Sequence, residues 1–292
     1  TNRIFFIYLS LTLFIFFIFS VSGIRLFDSL NLTMSVISSG GFLPENSLND
    51  IIRNNFQSVM LCLAFLISIF NFYLLYNFIL GRDNLKEHKE DIYIFVLAIA
   101  FIVIFYFINN LSVSSVFINV LSSISTSGIS IGDVPENFGL YFIILTLIGG
   151  SVLSSTSGLK FLRIYILIKA FFMEIYKLVK PNVMLNTKIM FSEKKVNTEN
   201  IKMSFLVFIL FFLSLFILSS ILLTDLLDFE TSFKLTILTL TNTVASNIYG
   251  IEEIQFSELF TSSKISLIIF MVIAKVELLS IFILARKVFF KD

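Results

Sequence analysis

The chain has 292 residues, a formal net charge of +1, 57% apolar residues and only 14% charged ones. Its mean hydropathy is +0.95. This excludes an ordinary soluble domain, in which roughly a quarter of residues are charged. A single Cys62 and a single His88 leave neither a disulfide framework nor a Cys/His metal centre.

In chain order, apolar stretches at about 4–22, 56–80, 92–108, 204–224 and 265–285 approach or exceed the ~20 residues that span a hydrocarbon core. A sixth, about 140–178, is interrupted. The fold class expected is an all-α integral membrane protein, multi-pass, in the lipid bilayer. Most Lys and Arg fall in the N-terminus, 81–91, 160–202 and the C-terminal tail, whereas the opposite loops hold Arg25, Arg53, Lys234 and Lys264. The positive-inside rule makes the first set cytoplasmic. The opposite face carries an excess of acids, among them Glu45, Asp133, Glu136, Asp225 and Asp228. Such a field concentrates cations at an external mouth, although a merely solubilising rim reads the same way on charge alone.

The organisation is repetitive. Three times a span is followed by a semi-polar apolar piece of about 14 residues, a Ser/Thr/Gly knot, an acidic loop and another span. The units are 1–80, 81–190 and 191–292. Pieces of that length are too short to cross a bilayer and read as re-entrant. Irregular backbone at membrane depth is tolerated only where it is buried in protein or lines a wet cavity, so the three knots are expected around one central ion pore. Rings of backbone carbonyls can replace the hydration shell of K+, and glycine supplies the dihedrals that aim them. The candidate filter residues are Ser38, Ser39, Gly40 and Gly41 in the first unit, and Thr126, Ser127, Gly128 and Ile129 in the second. In the third they are Ser246, Asn247 and Ile248. Ser35–Gly40 and Ser123–Gly128 superpose as sequences and set Gly40 opposite Gly128, so replacing either is expected to weaken K+ discrimination. In the third knot both Asn247 and Gly250 are candidates for the glycine position, and the sequence does not choose between them.

Gly149-Gly150 and the run Ser154–Gly158, with Ser157 inside it, interrupt the sixth stretch. Glycine costs about 1 kcal/mol per helical position relative to alanine, so a break in mid-membrane is expected. It reads as a gate beneath the filter, with a small-residue packing face as the other reading. Lys275 and Glu277 lie near the middle of the last span, where an ionised group costs roughly 2.5–3.5 kcal/mol, and this marks both as functional candidates. Asn71 reads as a hydrogen-bonding residue between helices. The scattered single acids, the absence of a second His and the lack of a phosphate-binding loop speak against an enzyme.

Leu26-Phe-Asp-Ser-Leu through Ser38-Ser-Gly-Gly-Phe42 resembles the second pore loop of the TrkH/KtrB/HKT superfamily, and Asn119 through Gly128 the third. Ile148-Gly-Gly-Ser through Lys160, with Arg163, is similar to that family's glycine-rich intramembrane loop, and Glu174 through Asn182 to the run after it. Ala274-Lys275-Val-Glu277 stands where the family has an Arg-x-Glu pair. The resemblance implies a potassium transporter with four pseudo-fourfold pore repeats, of which this chain carries the second to fourth. It further implies K+ as the transported ion, a homodimer, a cytosolic TrkA-like nucleotide-binding regulator, no nucleic acid, and the inner membrane of a bacterium. A non-conducting or Na+-permeable paralogue of the same fold is the alternative. With three of four repeats, the ring is expected to be open on one side.

Overall fold

The computed structural model describes residues 2–45, 47–79, 89–108, 111–132, 134–180, 197–225, 227–251, 256–257 and 259–276. Their regular structure is helical, with no strand among them. The first unit consists of α1 (Asn2–Val21), α2 (Leu26–Ile37), the single turn α3 (Leu48–Ile51), α4 (Asn55–Ile69) and α5 (Phe72–Ile79). The second consists of α6 (Lys89–Ile108), α7 (Val113–Ile124), α8 (Gly139–Ile148) and α9 (Phe161–Val179). The third consists of α10 (Thr198–Leu222), α11 (Phe229–Leu240) and α12 (Thr261–Val276). Within α1, α6 and α10 lie stretches long and apolar enough to cross a membrane.

The distribution of side chains is that of a protein surrounded by hydrocarbon. Phe5, Phe17, Phe107, Leu140 and Phe216 are more than half exposed, while Ser122, Ser125, Thr126 and Ser127 are wholly buried. Large exposed apolar faces of this extent mark a membrane contact, and buried hydroxyls require internal partners. Phe105 anchors the packing of α6 on α8, its ring 4.9 Å from that of Phe142, while the Tyr141 hydroxyl donates to the Phe101 carbonyl at 2.6 Å.

The short pieces α2, α7 and α11 each run 12 residues, about 18 Å at 1.5 Å per residue. That is little more than half of a ~30 Å core. Each is preceded by a polar or charged residue, Arg25, Ser112 or Asp228. Ser112 caps α7 by accepting from the Ser115 amide, and Asp228 caps α11 by accepting from the Thr231 amide at 3.2 Å. Hydrogen bonds from Thr231 hold the Asp228 carboxyl below its ordinary pKa.

One span expected to be continuous is broken. The stretch 56–80 divides at Phe70–Asn71 without a glycine or proline. The freed backbone groups find partners instead of staying bare in hydrocarbon. The Ile69 carbonyl accepts from the Ser151 amide, the Phe72 amide donates to the Leu153 carbonyl at 3.1 Å, and the Asn71 amide donates to Asp91 Oδ1 at 2.9 Å. Asn71 also caps α5, its Oδ1 accepting from the Tyr73 amide. Because the partners are distant in sequence, the segment 56–80 alone carries no sign of the break.

Candidate functional site: three turns between two cavities

The three short helices α2, α7 and α11 end in the same backbone turn. The second residue past each helix is left-handed: Ser39 at φ 53°, Thr126 at φ 57° and Asn242 at φ 51°. The next amide closes the turn onto the fifth residue back, Gly40 to the Ser35 carbonyl, Ser127 to Ser122 and Thr243 to Leu238, at 2.8–3.1 Å. This fixes the register. Ser38, Ser125 and Thr241 are equivalent, as are Gly40, Ser127 and Thr243, and as are Gly41, Gly128 and Val244.

Two sequence assignments are thereby corrected. Gly128 stands opposite Gly41 and not Gly40. Both are left-handed at φ 75°, a conformation that glycine adopts without steric cost. The paired glycines at 40–41 had allowed either alignment. The third-unit turn lies at Thr241–Val244, upstream of Ser246, Asn247 and Ile248, and neither Asn247 nor Gly250 takes the glycine position. Val244 takes it. Asn247–Tyr249 forms a separate single turn that ends in left-handed Gly250. Ser246 still reaches the turns, its hydroxyl donating to the Gly128 carbonyl at 2.8 Å. Ile248 and Tyr249 are buried, and the Tyr249 hydroxyl donates to Ser123 Oγ at 3.5 Å.

The turns converge. A Cβ on Gly41 would overlap the Ser127 carbonyl oxygen, and one on Gly128 would lie 2.5 Å from the Val244 carbonyl oxygen. On the acid-bearing side they border a cavity of about 410 Å3 whose lining includes Gly41, Gly128, Ser130, Val244, Glu45 and Asn49. On the other side, a cavity of about 350 Å3 is lined by Ser38, Leu240, Ser154, Ser157, Lys160 and Lys275, among others. Ile129 follows Gly128 and is buried.

The expected break after α8 is present. The chain leaves α8 at Gly149, which is left-handed, and re-enters helix at Phe161. Hydroxyls hold the intervening loop together. The Gly150 amide donates to Thr156 Oγ1 at 3.0 Å, and Ser154 Oγ donates to the Ser151 carbonyl at 2.6 Å. Lys160, buried and left-handed at φ 68°, points its ammonium into the loop and donates to the Thr156 carbonyl and to Thr156 Oγ1. The loop lies against the turns. The Ser157 amide donates to Thr126 Oγ1 at 3.0 Å, and the Ser155 and Ser39 hydroxyls approach to 3.4 Å. Gly158 is left-handed at φ 85°.

Lys275, on α12, donates to the Ser38 carbonyl at 2.8 Å and to the Ser155 carbonyl at 3.1 Å, so it bridges the first turn and the intramembrane loop. One helical turn earlier, the Met271 carbonyl accepts from Asn242 Nδ2 at 3.0 Å. All three left-handed residues thus use their side chains to touch either the loop or α12. Glu277 lies outside the described residues.

Sequence reasoning missed Lys160, Asn242, Thr243, Val244 and the clamp made by Asn119. Wholly buried, Asn119 accepts from the Ile131 amide at 2.9 Å and donates to the Ile131 carbonyl at 3.0 Å. It ties the segment leaving the second turn to α7. Leu32 and Leu235 occupy the equivalent positions in the other helices, so an amide at this one apolar position was a legible signal. Asn119→Leu is expected to lower stability by roughly 1–3 kcal/mol for each backbone group left unpaired. A lower thermal midpoint of the purified protein in detergent checks this.

No protein-family profile matches the chain. It is 25% identical to the Trk system potassium uptake protein TrkG of Escherichia coli K12, over 94% of this chain and 58% of that protein. It is also 25% identical to an uncharacterized cation transporter of Methanocaldococcus jannaschii, over 74% of this chain and 45% of that one. The chain therefore spans about half the length of the curated relatives it matches. The structure superposes on the crystal structure of the potassium transporter TrkH from Vibrio parahaemolyticus with a TM-score of 0.83 at 22% identity, covering 97% of this chain and 63% of that one. In sequence and in fold the chain accordingly bears out the resemblance to the TrkH/KtrB/HKT superfamily of potassium transporters.

Proposed function

We propose that this chain forms most of a K+-conducting pore, in which the carbonyls around Gly41, Gly128 and Val244 act as the selectivity filter. The 149–160 loop with Lys275 acts as the gate beneath it. The reading is carried by one observation, the three equivalent left-handed turns that converge between two cavities. Carbonyls so converged can take the place of water around a dehydrated cation. The bacterial inner membrane, the homodimer and a cytosolic TrkA-like regulator belong to the same proposal and come from the resemblance. The test is K+ flux into liposomes holding the purified full-length protein. Flux above that of empty liposomes, driven by a K+ gradient, is expected; its absence with correctly folded protein overturns the reading. Val244 at the third glycine position favours a second reading, a filter that also passes Na+. The same assay run with a Na+ gradient separates the two.

A further inference from the structure

We propose that the turns of the filter are held in two different ways, and that Lys275 is a positioning residue for the first turn. The inference rests on the filter reading above. Past each pore helix, the first hydroxyl donates back into its own helix: Ser38 to the Met34 carbonyl at 2.6 Å, Ser125 to Ser122 at 2.9 Å and Thr241 to Ile237 at 3.0 Å. In the second turn that hydroxyl also pairs with the one two residues on, Ser125 with Ser127 at 2.9 Å. In the third, Thr241 pairs with Thr243 at the same 2.9 Å. All four of these residues are buried. Each pair bridges the left-handed residue and ties the carbonyls of its turn to the helix end behind them.

The first turn has no such pair, because Gly40 stands where Ser127 and Thr243 stand. What holds it comes from outside. The Lys275 ammonium takes the Ser38 carbonyl, and Ser155 lies beside Ser39. The α12 helix therefore holds a backbone carbonyl in the one turn that lacks a hydroxyl pair, whereas in the third turn it meets only the Asn242 side chain. A turn without its anchor can close in on a smaller ion, and Na+ gains from that more than K+ does. Lys275 thus links the state of the gate to the discrimination of the filter.

The missing pair can be installed. Gly40 is not left-handed, and a Cβ there would stand 3.0 Å from Ser38 Oγ, a tight contact that a small shift of this flexible side chain relieves. The experiment measures the ratio of K+ to Na+ flux for the full-length protein in liposomes. Lys275→Gln is expected to lower the ratio about fivefold, the worth of one ordinary hydrogen bond. Adding Gly40→Ser to that variant is expected to restore the ratio, and Lys275→Arg, which keeps the donors, to stay close to wild type. A merely structural role predicts a lower thermal midpoint with an unchanged flux ratio in the protein that stays folded, and gives no reason for a hydroxyl at position 40 to restore the ratio. A normal ratio in Lys275→Gln, or no rescue by Gly40→Ser, overturns the inference while leaving the pore reading intact. Absence of K+ flux in the wild type overturns the pore reading instead.

Discussion

Gly41→Ala and Gly128→Ala are expected to abolish K+-selective flux, whereas Gly40→Ser is expected to fold and conduct. At both of the first two positions the backbone is left-handed, which costs a side-chain-bearing residue roughly 1–2 kcal/mol. The larger penalty is steric. The added methyl of Gly41→Ala would overlap the Ser127 carbonyl oxygen, and that of Gly128→Ala would stand 2.9 Å from Thr243 Cγ2 and 3.0 Å from the Val244 amide nitrogen. A turn must move to admit either, and on the proposed reading the moved groups are the ion's ligands. Gly40 differs, because its equivalents are Ser127 and Thr243 and a side chain is already native to the position. Size-exclusion profiles and K+/Na+ flux ratios of the three variants make the check. A selective Gly41→Ala protein, or a Gly40→Ser protein as damaged as Gly41→Ala, contradicts the register.

That register shows where sequence reading stopped and why. The repeated units, the re-entrant pieces and the break at 149–160 were legible because length, hydropathy and glycine each leave a strong local signal. The alignment of the first two turns slipped by one because Gly40 and Gly41 are adjacent and either matches Gly128 by type. Only the hydrogen bond from Gly40 to Ser35, beside that from Ser127 to Ser122, fixes which glycine is equivalent. In the third unit glycine was the wrong thing to seek. The left-handed residue there is Asn242, one of the few other residues that tolerate that conformation, and Thr241-Asn242-Thr243 repeats Ser125-Thr126-Ser127 as hydroxyl, left-handed residue, hydroxyl. Gly250 drew attention downstream because it ends an unrelated turn. Lys160 escaped notice because it opens the basic run 160–202, where a lysine usually faces water; here the polar atoms that hold it come from a loop folded over it.

Lys275→Gln is expected to raise K+ flux per folded protein. The ammonium sits at the C-terminal end of α2 on the inner cavity, bonded to the Ser38 and Ser155 carbonyls. Helix C-termini favour positive charge, so this is a place where K+ itself would rest. On the proposed reading the lysine therefore competes with the permeating ion both for ligands and by repulsion. Two unit charges about 4 Å apart repel by roughly 4 kcal/mol at an effective dielectric of ~20, enough to lower occupancy by about three orders of magnitude before water screens it. Glutamine removes the charge. The competing expectation is that Lys275 only secures the fold, in which case removing it lowers flux and yield together. Breaking a buried ion pair costs about 3–5 kcal/mol because an opposite charge is stranded, but the two described partners of Lys275 are neutral carbonyls. Their loss is on the scale of one or two hydrogen bonds, roughly 1–3 kcal/mol, which a folded membrane protein can absorb. Liposome flux normalised to folded protein decides between them: a rise identifies the charge as the barrier, and an unchanged or lower flux rejects it.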